Sequence, residues 1–267
     1  EFFDWQPIQI MRAVQLGQDD VALESQTPWL CAACQTCTTR CPQNLDITGI
    51  MEFLTRETIE RGFEPPVPQM KAFNEAFMRE VKMWGRAYEP GLMAEMKLRN
   101  PKTLFDDLDI YMEMLKKRKV SIMPKLGKPP RKAKPVADAA NAVAYYPGCS
   151  LHSTAGEFDG SARAVAAALE LTLIEPKDWV CCGSSAAHRV DPEAATKLPM
   201  QNLALIEQSG FKEVTMPCAA CFNRHKAAQY EIRHDEQHKN GIDQAIGYEY
   251  QDTVQVNTLT ETILKHV

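Results

Sequence analysis

Nine cysteines in 267 residues fall into two groups separated by a long stretch of chain. The first is Cys31-Ala32-Ala33-Cys34-Gln35-Thr36-Cys37-Thr38-Thr39-Arg40-Cys41-Pro42. This C-x2-C-x2-C-x3-C-P run wraps a compact loop of thiolates around a cubane [4Fe–4S] cluster. A structural zinc site pairs two separated C-x2-C knuckles instead, and would leave the protein colourless. Where two cubanes are present, the fourth cysteine of such a run ligates the other cluster. No second run of this kind occurs in the sequence, so either all four cysteines close on one cluster or a segment before Glu1 carries the partner run.

The second group is Cys149, then Cys181-Cys182-Gly183, then Cys218-Ala219-Ala220-Cys221. Each part falls just past an expected strand or in a loop leading from one. The five sulfurs can therefore meet at the carboxyl edge of a parallel sheet, where open α/β folds place ligands. A cubane uses four thiolates, so a fifth implies a bridging sulfur, an unusual cluster shape or a non-ligand. The plain alternative makes Cys149 or Cys182 a small buried hydrophobe. Adjacent Cys181 and Cys182 disfavour a strainless disulfide and favour metal binding side by side. Gly183 would relieve crowding where the backbone passes the sulfurs. His152, His188 and His225 lie near these cysteines in sequence and are candidate proton donors to a leaving thiolate, against the commoner role of packing or hydrogen bonding.

The elements that must position these groups follow from periodicity. Residues 5–115 read as helical: Pro7 to Gly17 with Ile8, Met11 and Val14 on one side; Ile47, Ile50, Met51 and Leu54 before Gly62; Met70, Phe73, Phe77, Val81 and Trp84 before Gly85; and Leu104, Leu108, Tyr111 and Leu115 after an Asn100-Pro101 start. These stripes are assigned to packing. Residues 116–141, with Lys116, Lys117, Arg118, Lys119 and then Pro124, Pro129, Pro130 and Pro135, bury no face and read as a linker or an arm. Strands are then expected at Val143–Tyr146, Leu171–Ile174, Glu213–Met216 and Val254–Val256. Helices are expected at Glu157–Glu170, at 191–209 with a break or kink at Pro199, at Phe222–Ile232, and from Leu259 onward. The fold class is α+β overall: a helical ferredoxin-like domain over 1–115, the linker over 116–141, and an α/β domain with a parallel sheet over 142–267.

Composition narrows the function classes. A net charge of −5 with no basic face argues against a nucleic-acid partner. No stretch approaches the length of a membrane-spanning helix and the start lacks a signal peptide's basic region, so a cytoplasmic protein is expected. Close cysteine spacings suit metal chelation in a reducing compartment.

Residues 142–267 resemble the first half of the B-type component of heterodisulfide reductase, a CCG-domain protein. The likeness runs through Tyr145-Tyr146-Pro147-Gly148-Cys149-Ser150-Leu151-His152-Ser153, Trp179-Val180-Cys181-Cys182-Gly183 and Pro217-Cys218-Ala219-Ala220-Cys221-Phe222-Asn223-Arg224. Residues 5–115 resemble the C-type component of the same enzyme around Thr27-Pro28-Trp29-Leu30-Cys31 through Cys41-Pro42. The resemblance implies that Cys149, Cys181, Cys182, Cys218 and Cys221 are catalytic and hold one non-cubane [4Fe–4S] cluster, while Cys31, Cys34, Cys37 and Cys41 bind a cubane. It further implies a flavin-containing partner like the A-type component of heterodisulfide reductase, a multi-subunit complex, and a disulfide reduced or formed as two clusters face it. The C-type component usually carries two ferredoxin runs and the B-type component two CCG halves, each in its own chain. One of each, fused, leads to the expectation of a longer polypeptide. Flavin dehydrogenases for 2-hydroxyacids such as glycolate and lactate, or for glycerol 3-phosphate, also join ferredoxin runs to CCG segments and give the alternative of an electron-transfer component. The Ser150-Leu151-His152-Ser153 context favours the heterodisulfide type.

Overall fold

The computed structural model describes residues 2–103, 106–117, 119–121, 123–127 and 141–267. Helices α1 (Pro7–Gln15), α2 (Asp19–Glu24), α3 (Thr27–Leu30), α4 (Thr36–Thr39), α5 (Ile47–Glu60), α6 (Pro68–Trp84), α7 (Glu89–Arg99) and α8 (Leu108–Lys116) precede strand β1 (Ala142–Tyr145). There follow α9 (Gly148–Leu151), α10 (Gly156–Ala168), β2 (Thr172–Ile174), α11 (Ser184–Val190) and α12 (Pro192–Gln208). The chain ends with β3 (Glu213–Met216), α13 (Ala219–His234), α14 (Glu236–Ile246), β4 (Gln255–Thr258) and α15 (Leu259–His266). The chain divides into two compact units, one made of residues up to Ala76 with Ser185–Pro192, the other of Phe77–Ser184 with Glu193–Val267.

The first unit is helical. Its core is Ile10, Met11, Ala13, Ala22, Leu23, Ile47, Met51 and Leu54, with Cys31 and Cys41 packed against it. Pro7 opens α1 where its missing N–H is harmless, and Gly17 at φ +66° closes it with Gln18 N–H on the Ala13 carbonyl. The buried face of α1 is Ile10, Met11 and Ala13, whereas the expected Ile8 and Val14 are exposed. The stripe is rotated because only that face meets α2 and α5. Asp4 anchors the approach to the cysteine run, accepting from Ser25 Oγ at 2.8 Å, Gln26 N–H at 2.8 Å and Thr27 Oγ1 at 2.9 Å. Burial raises its pKa, but these bonds outweigh burial and hold the carboxyl below its ordinary value.

Arg189 is the main polar tie of this unit. Its side chain is buried and donates to the carbonyls of Trp29 (3.0 Å), Pro28 (3.3 Å) and Cys31. Next to it, His188 Nδ1 lies 3.3 Å from Glu52 Oε2, and Arg56 donates to the His188 carbonyl at 2.6 Å. Ser185–Pro192 thus holds the turn that leads into Cys31.

The second unit carries a four-stranded, wholly parallel sheet in the order β2-β1-β3-β4. The chain leaves β1 for β2 on one side, then returns past β1 to place β3 on the other. That reversal makes the β1/β3 carboxyl ends a switch point, with an open crevice. Tyr146, Trp179, Met200, Leu203, Ile206, Val214, Met216 and Val256 fill the core around the sheet. The strands agree with expectation to within a residue or two at their ends, and β3 coincides.

Four expectations change. Helix α12 runs unbroken through Pro199, since its buried face of Ala195, Met200, Leu203 and Ile206 keeps it in place. Helix α14, unanticipated because only Ile242 of it is buried, is bounded by an Asp235 cap on His238 N–H at 2.8 Å and by Gly247 at φ +69°. Helix α8 starts at Leu108 and buries no residue, so its stripe does not pack as expected; Leu104 lies outside the described residues. In the expected linker, Val120 and Gly127 are buried and Gly127 N–H donates to the Trp84 carbonyl at 2.7 Å, so that part is no free arm. Arg118, Pro129, Pro130 and Pro135 lie outside the described residues.

Replacing Arg189 with Met should remove a buried charged donor from three carbonyls and cost the helical unit about 3 kcal/mol. Arg189→Lys should recover only part, because one ammonium cannot fork to all three. Denaturant titrations followed by the circular dichroism of the apoprotein measure both. A midpoint unchanged in Arg189→Met would refute this role.

Candidate functional site

The CCG thiols are delivered by three segments that end on the same edge of the sheet. Cys149 is the second residue of α9, directly after β1; Cys181 and Cys182 sit in the loop after β2; Cys218 caps α13 after β3, with Cys221 in its first turn. Contacts link the five in a row: Cys149 to Cys181, Cys181 to Cys182, Cys182 to Cys221 at 3.5 Å between sulfurs, and Cys221 to Cys218. Cys181, Cys182 and Cys221 are buried, while Cys149 and Cys218 are half-buried.

From Cys181 through Cys182 and Cys221 to Cys218 the row alternates in proton affinity. Hydrogen bonding to Cys181 and Cys221 pulls Cys182 well below the usual thiol range, and Cys221 pulls Cys218 down to about 6. The donors Cys181 and Cys221 are pushed up by those same contacts and by burial. Adjacent buried thiols cannot all ionise unaided, because like charges at such spacing repel strongly in a low dielectric. Positive metal charge removes that conflict and lets each sulfur ligate as thiolate. Both the all-sulfur donor set and the crowding therefore fit an iron–sulfur group.

The backbone is shaped for the same purpose. Gly183 at φ +79° and Ser184 at φ +43° turn the chain sharply after the paired cysteines, and Ser184 N–H points to the Cys182 sulfur. Gly148 holds φ +74°, and a Cβ there would stand 2.8 Å from the Cys221 sulfur. Cys218 takes backbone N–H groups of Cys221 and Ala220 at the start of α13, where the helix dipole favours anionic sulfur.

A brace that sequence reasoning missed supports the Cys181 loop. Cys181 N–H donates to the Gly85 carbonyl at 2.8 Å, Arg86 Nε donates to the Trp179 carbonyl at 2.9 Å, and the Arg86 guanidinium lies 3.6 Å over the Trp179 ring. A Cβ on Gly85 would meet the Gly127 carbonyl oxygen at 2.2 Å, so two chains pass there in near backbone contact. The paired glycines at the ends of two unrelated segments were the available signal. Arg86, Lys125, Cys149, His152, Ser153 and Trp179 line a cavity of about 40 Å³.

The three histidines separate. His152 stands on this cavity with Nε2 2.9 Å from Glu175 Oε1 and its ring edge-on to Trp179. His225 is fully buried beside Cys221, where desolvation holds its pKa down despite the nearby Cys182 sulfur. His188 belongs to the helical unit and pairs there with Glu52.

In the helical unit the cysteine run loops between α3 and α5. Ala33 at φ +52° and Gln35 at φ +62° flank Cys34 and turn successive N–H groups inward. Burial raises the Cys31 pKa against the Ala33 N–H and the Arg189 charge, whereas the Thr36 hydroxyl and N–H lower that of Cys34. Cys34 and Cys37 are exposed and Cys31 and Cys41 half-buried.

Residues 143–224 match the cysteine-rich CCG domain, and residues 1–46 match the 4Fe-4S dicluster domain. Over 127 residues the chain is 34% identical to the membrane anchor of the 8-methylmenaquinol:fumarate reductase of Wolinella succinogenes, covering 46% of this chain and 44% of that one. Over 53 residues it is 42% identical to the second form of the iron-sulfur C component of CoB–CoM heterodisulfide reductase in Methanocaldococcus jannaschii (20% and 28% covered). Over 58 residues it is 31% identical to the C component of the H2:CoB-CoM heterodisulfide,ferredoxin reductase of Methanothermobacter marburgensis (22% and 31% covered). The chain spans less than half the length of each of these relatives. These matches support a CCG domain and a 4Fe-4S dicluster domain, and with them iron–sulfur clusters. No helix among the described residues is long and apolar enough to cross a membrane.

Gly148→Ala should force its new Cβ against Cys221 in a conformation that costs a side chain about 1–2 kcal/mol. Iron and sulfide analysis is then expected to show loss of the CCG-bound iron and retention of iron at the Cys31 run. Full iron content in the variant would mean that Cys221 can step aside.

Proposed function

We propose that this CCG and dicluster protein is the iron–sulfur component of a heterodisulfide reductase-like complex. Cys31, Cys34, Cys37 and Cys41 hold a cubane [4Fe–4S] cluster, and Cys149, Cys181, Cys182, Cys218 and Cys221 hold a non-cubane one. A flavin-containing partner of the A type supplies electrons, in a cytoplasmic multi-subunit assembly. The reaction adds two electrons and two protons to a disulfide and releases two thiols, or runs in reverse.

One observation supports this reading most: five thiols in one contact row, one more than a cubane uses, with Cys149 at an open cavity. Bound clusters supply single-electron steps and a place for a substrate sulfur. The chain's own residues do the rest. Trp179 and Tyr146 shut water from the inner sulfurs, Arg86 lends fixed positive charge beside Cys149, and His152 sets its Nε2 against Glu175 at the cavity wall.

The Wolinella relative, named as a membrane anchor of a quinol:fumarate reductase, favours a second reading. There the chain only relays electrons in a larger oxidoreductase, as in the flavin-dependent 2-hydroxyacid and glycerol 3-phosphate dehydrogenases.

Two variants separate the readings. Cys182→Ala should lower disulfide turnover with reduced viologen by a factor of about 1,000, corresponding to roughly 4 kcal/mol of lost transition-state stabilisation. The EPR signal of the Cys31 run should persist. Cys34→Ser should remove that signal and leave the CCG signal in place. Anaerobic wild-type protein that shows both signals but turns over no disulfide would transfer the assignment to the electron relay, as would an ordinary four-cysteine cubane in the CCG unit.

A further inference from the structure

Val180, the residue before the paired cysteines, is gripped from two sides. Asn202 on α12 accepts from Val180 N–H at 2.8 Å through Oδ1 and donates to the Val180 carbonyl at 3.0 Å through Nδ2. The same carbonyl takes the Tyr146 hydroxyl at 2.7 Å. Asn202 Nδ2 also lies 3.3 Å from His225 Nε2, while His225 Nδ1 lies 2.7 Å from the Cys221 carbonyl. Asn202 and His225 are respectively 1% and 0% exposed, so bulk solvent does not reach them.

The hydrogen-bond roles are forced. A carbonyl only accepts, so the His225 proton sits on Nδ1, and the neutral ring then offers Nε2 as an acceptor. Asn202 fills that acceptor with one amide hydrogen and the Val180 carbonyl with the other. A flipped amide would set oxygen against both a carbonyl and an imidazole lone pair. Two side chains in series, Asn202 and His225, therefore tie the backbone at Val180, next to Cys181-Cys182, to the backbone at Cys221.

We propose that Asn202, acting through His225, is a positioning residue that sets the gap between the Cys181-Cys182 loop and the Cys221 helix, and with it the close approach of the Cys182 and Cys221 sulfurs. Neither side chain touches the reacting atoms. With both nitrogens engaged, His225 is part of the scaffold, which leaves His152 as the imidazole on the cavity. The inference rests on the CCG thiols holding an iron–sulfur group and does not require the substrate to be a disulfide.

Asn202→Leu and Asn202→Asp test it. Aspartate keeps the size and the acceptor for Val180 N–H but has lost both donors. In anaerobically purified protein, the EPR line shape and midpoint potential of the CCG-bound group should change in both variants, while the signal of the Cys31 run stays as in wild type. Misfolding of Asn202→Leu leaves Asn202→Asp to decide. A second measurement needs no iron. In wild-type apoprotein, diamide should take two electrons and two protons from Cys182 and Cys221 and join them as a disulfide. In the variants that step should be about tenfold slower, the size expected when a buried pair of hydrogen bonds is lost. A CCG spectrum and a crosslinking rate both equal to wild type would overturn the proposal. Absence of disulfide turnover in the wild type overturns the functional reading alone, because spectrum and crosslinking still report on the spacing.

Discussion

Everything in the CCG unit depends on one crowded arrangement, five sulfurs in contact at the carboxyl edge of a parallel sheet. A row of thiols this tight is electrostatically unfavourable when ionised, and only an enclosing scaffold can hold it ready for metal. The strand order β2-β1-β3-β4 provides the opening, since its reversal between β1 and β3 leaves no crossover covering that edge. Around it, left-handed backbone at Gly148 lets the chain pass close to the Cys221 sulfur where a side chain would collide, and Gly183 turns the chain away after the paired cysteines.

The support is polar as well as apolar. Asn202, His225 and Tyr146 hold Val180 and Cys221 from inside the core, and the Arg86–Trp179 stack with Gly85 and Gly127 holds the same loop from the other side. Buried polar networks of this kind are costly if any member is unsatisfied, so they specify one geometry. The helical unit follows the same logic with Arg189, whose fork onto three carbonyls fixes the approach to Cys31.

Cysteine spacing singled out the five CCG thiols that the fold brings into contact, and short β-prone segments bounded by turn residues made all four strands legible to within a residue or two. Less legible were features set by partners distant in sequence. Arg189 reads as a polar helix residue until Pro28, Trp29 and Cys31 are placed beside it. Gly127 sits in a Lys/Pro-rich stretch whose composition says nothing of the Trp84 carbonyl it meets. Helical faces were misjudged where several apolar residues competed, as in α1, where Ile8 and Val14 lost the core to Ile10 and Ala13. Pro199 misled because local propensity weighs a missing N–H more heavily than the packing of Met200 and Leu203 around it. The histidines were near the cysteines in sequence, yet only contacts could tell the cavity wall at His152 from the core at His225.

The two thiol sets differ in their access to solvent, with Cys34 and Cys37 exposed and Cys181, Cys182 and Cys221 buried. Oxidants and chelators reach sulfur in proportion to its exposure. In air Cys34 and Cys37 are thus the fuse of the molecule, the sulfurs that oxidants meet first while Cys181, Cys182 and Cys221 are still shielded.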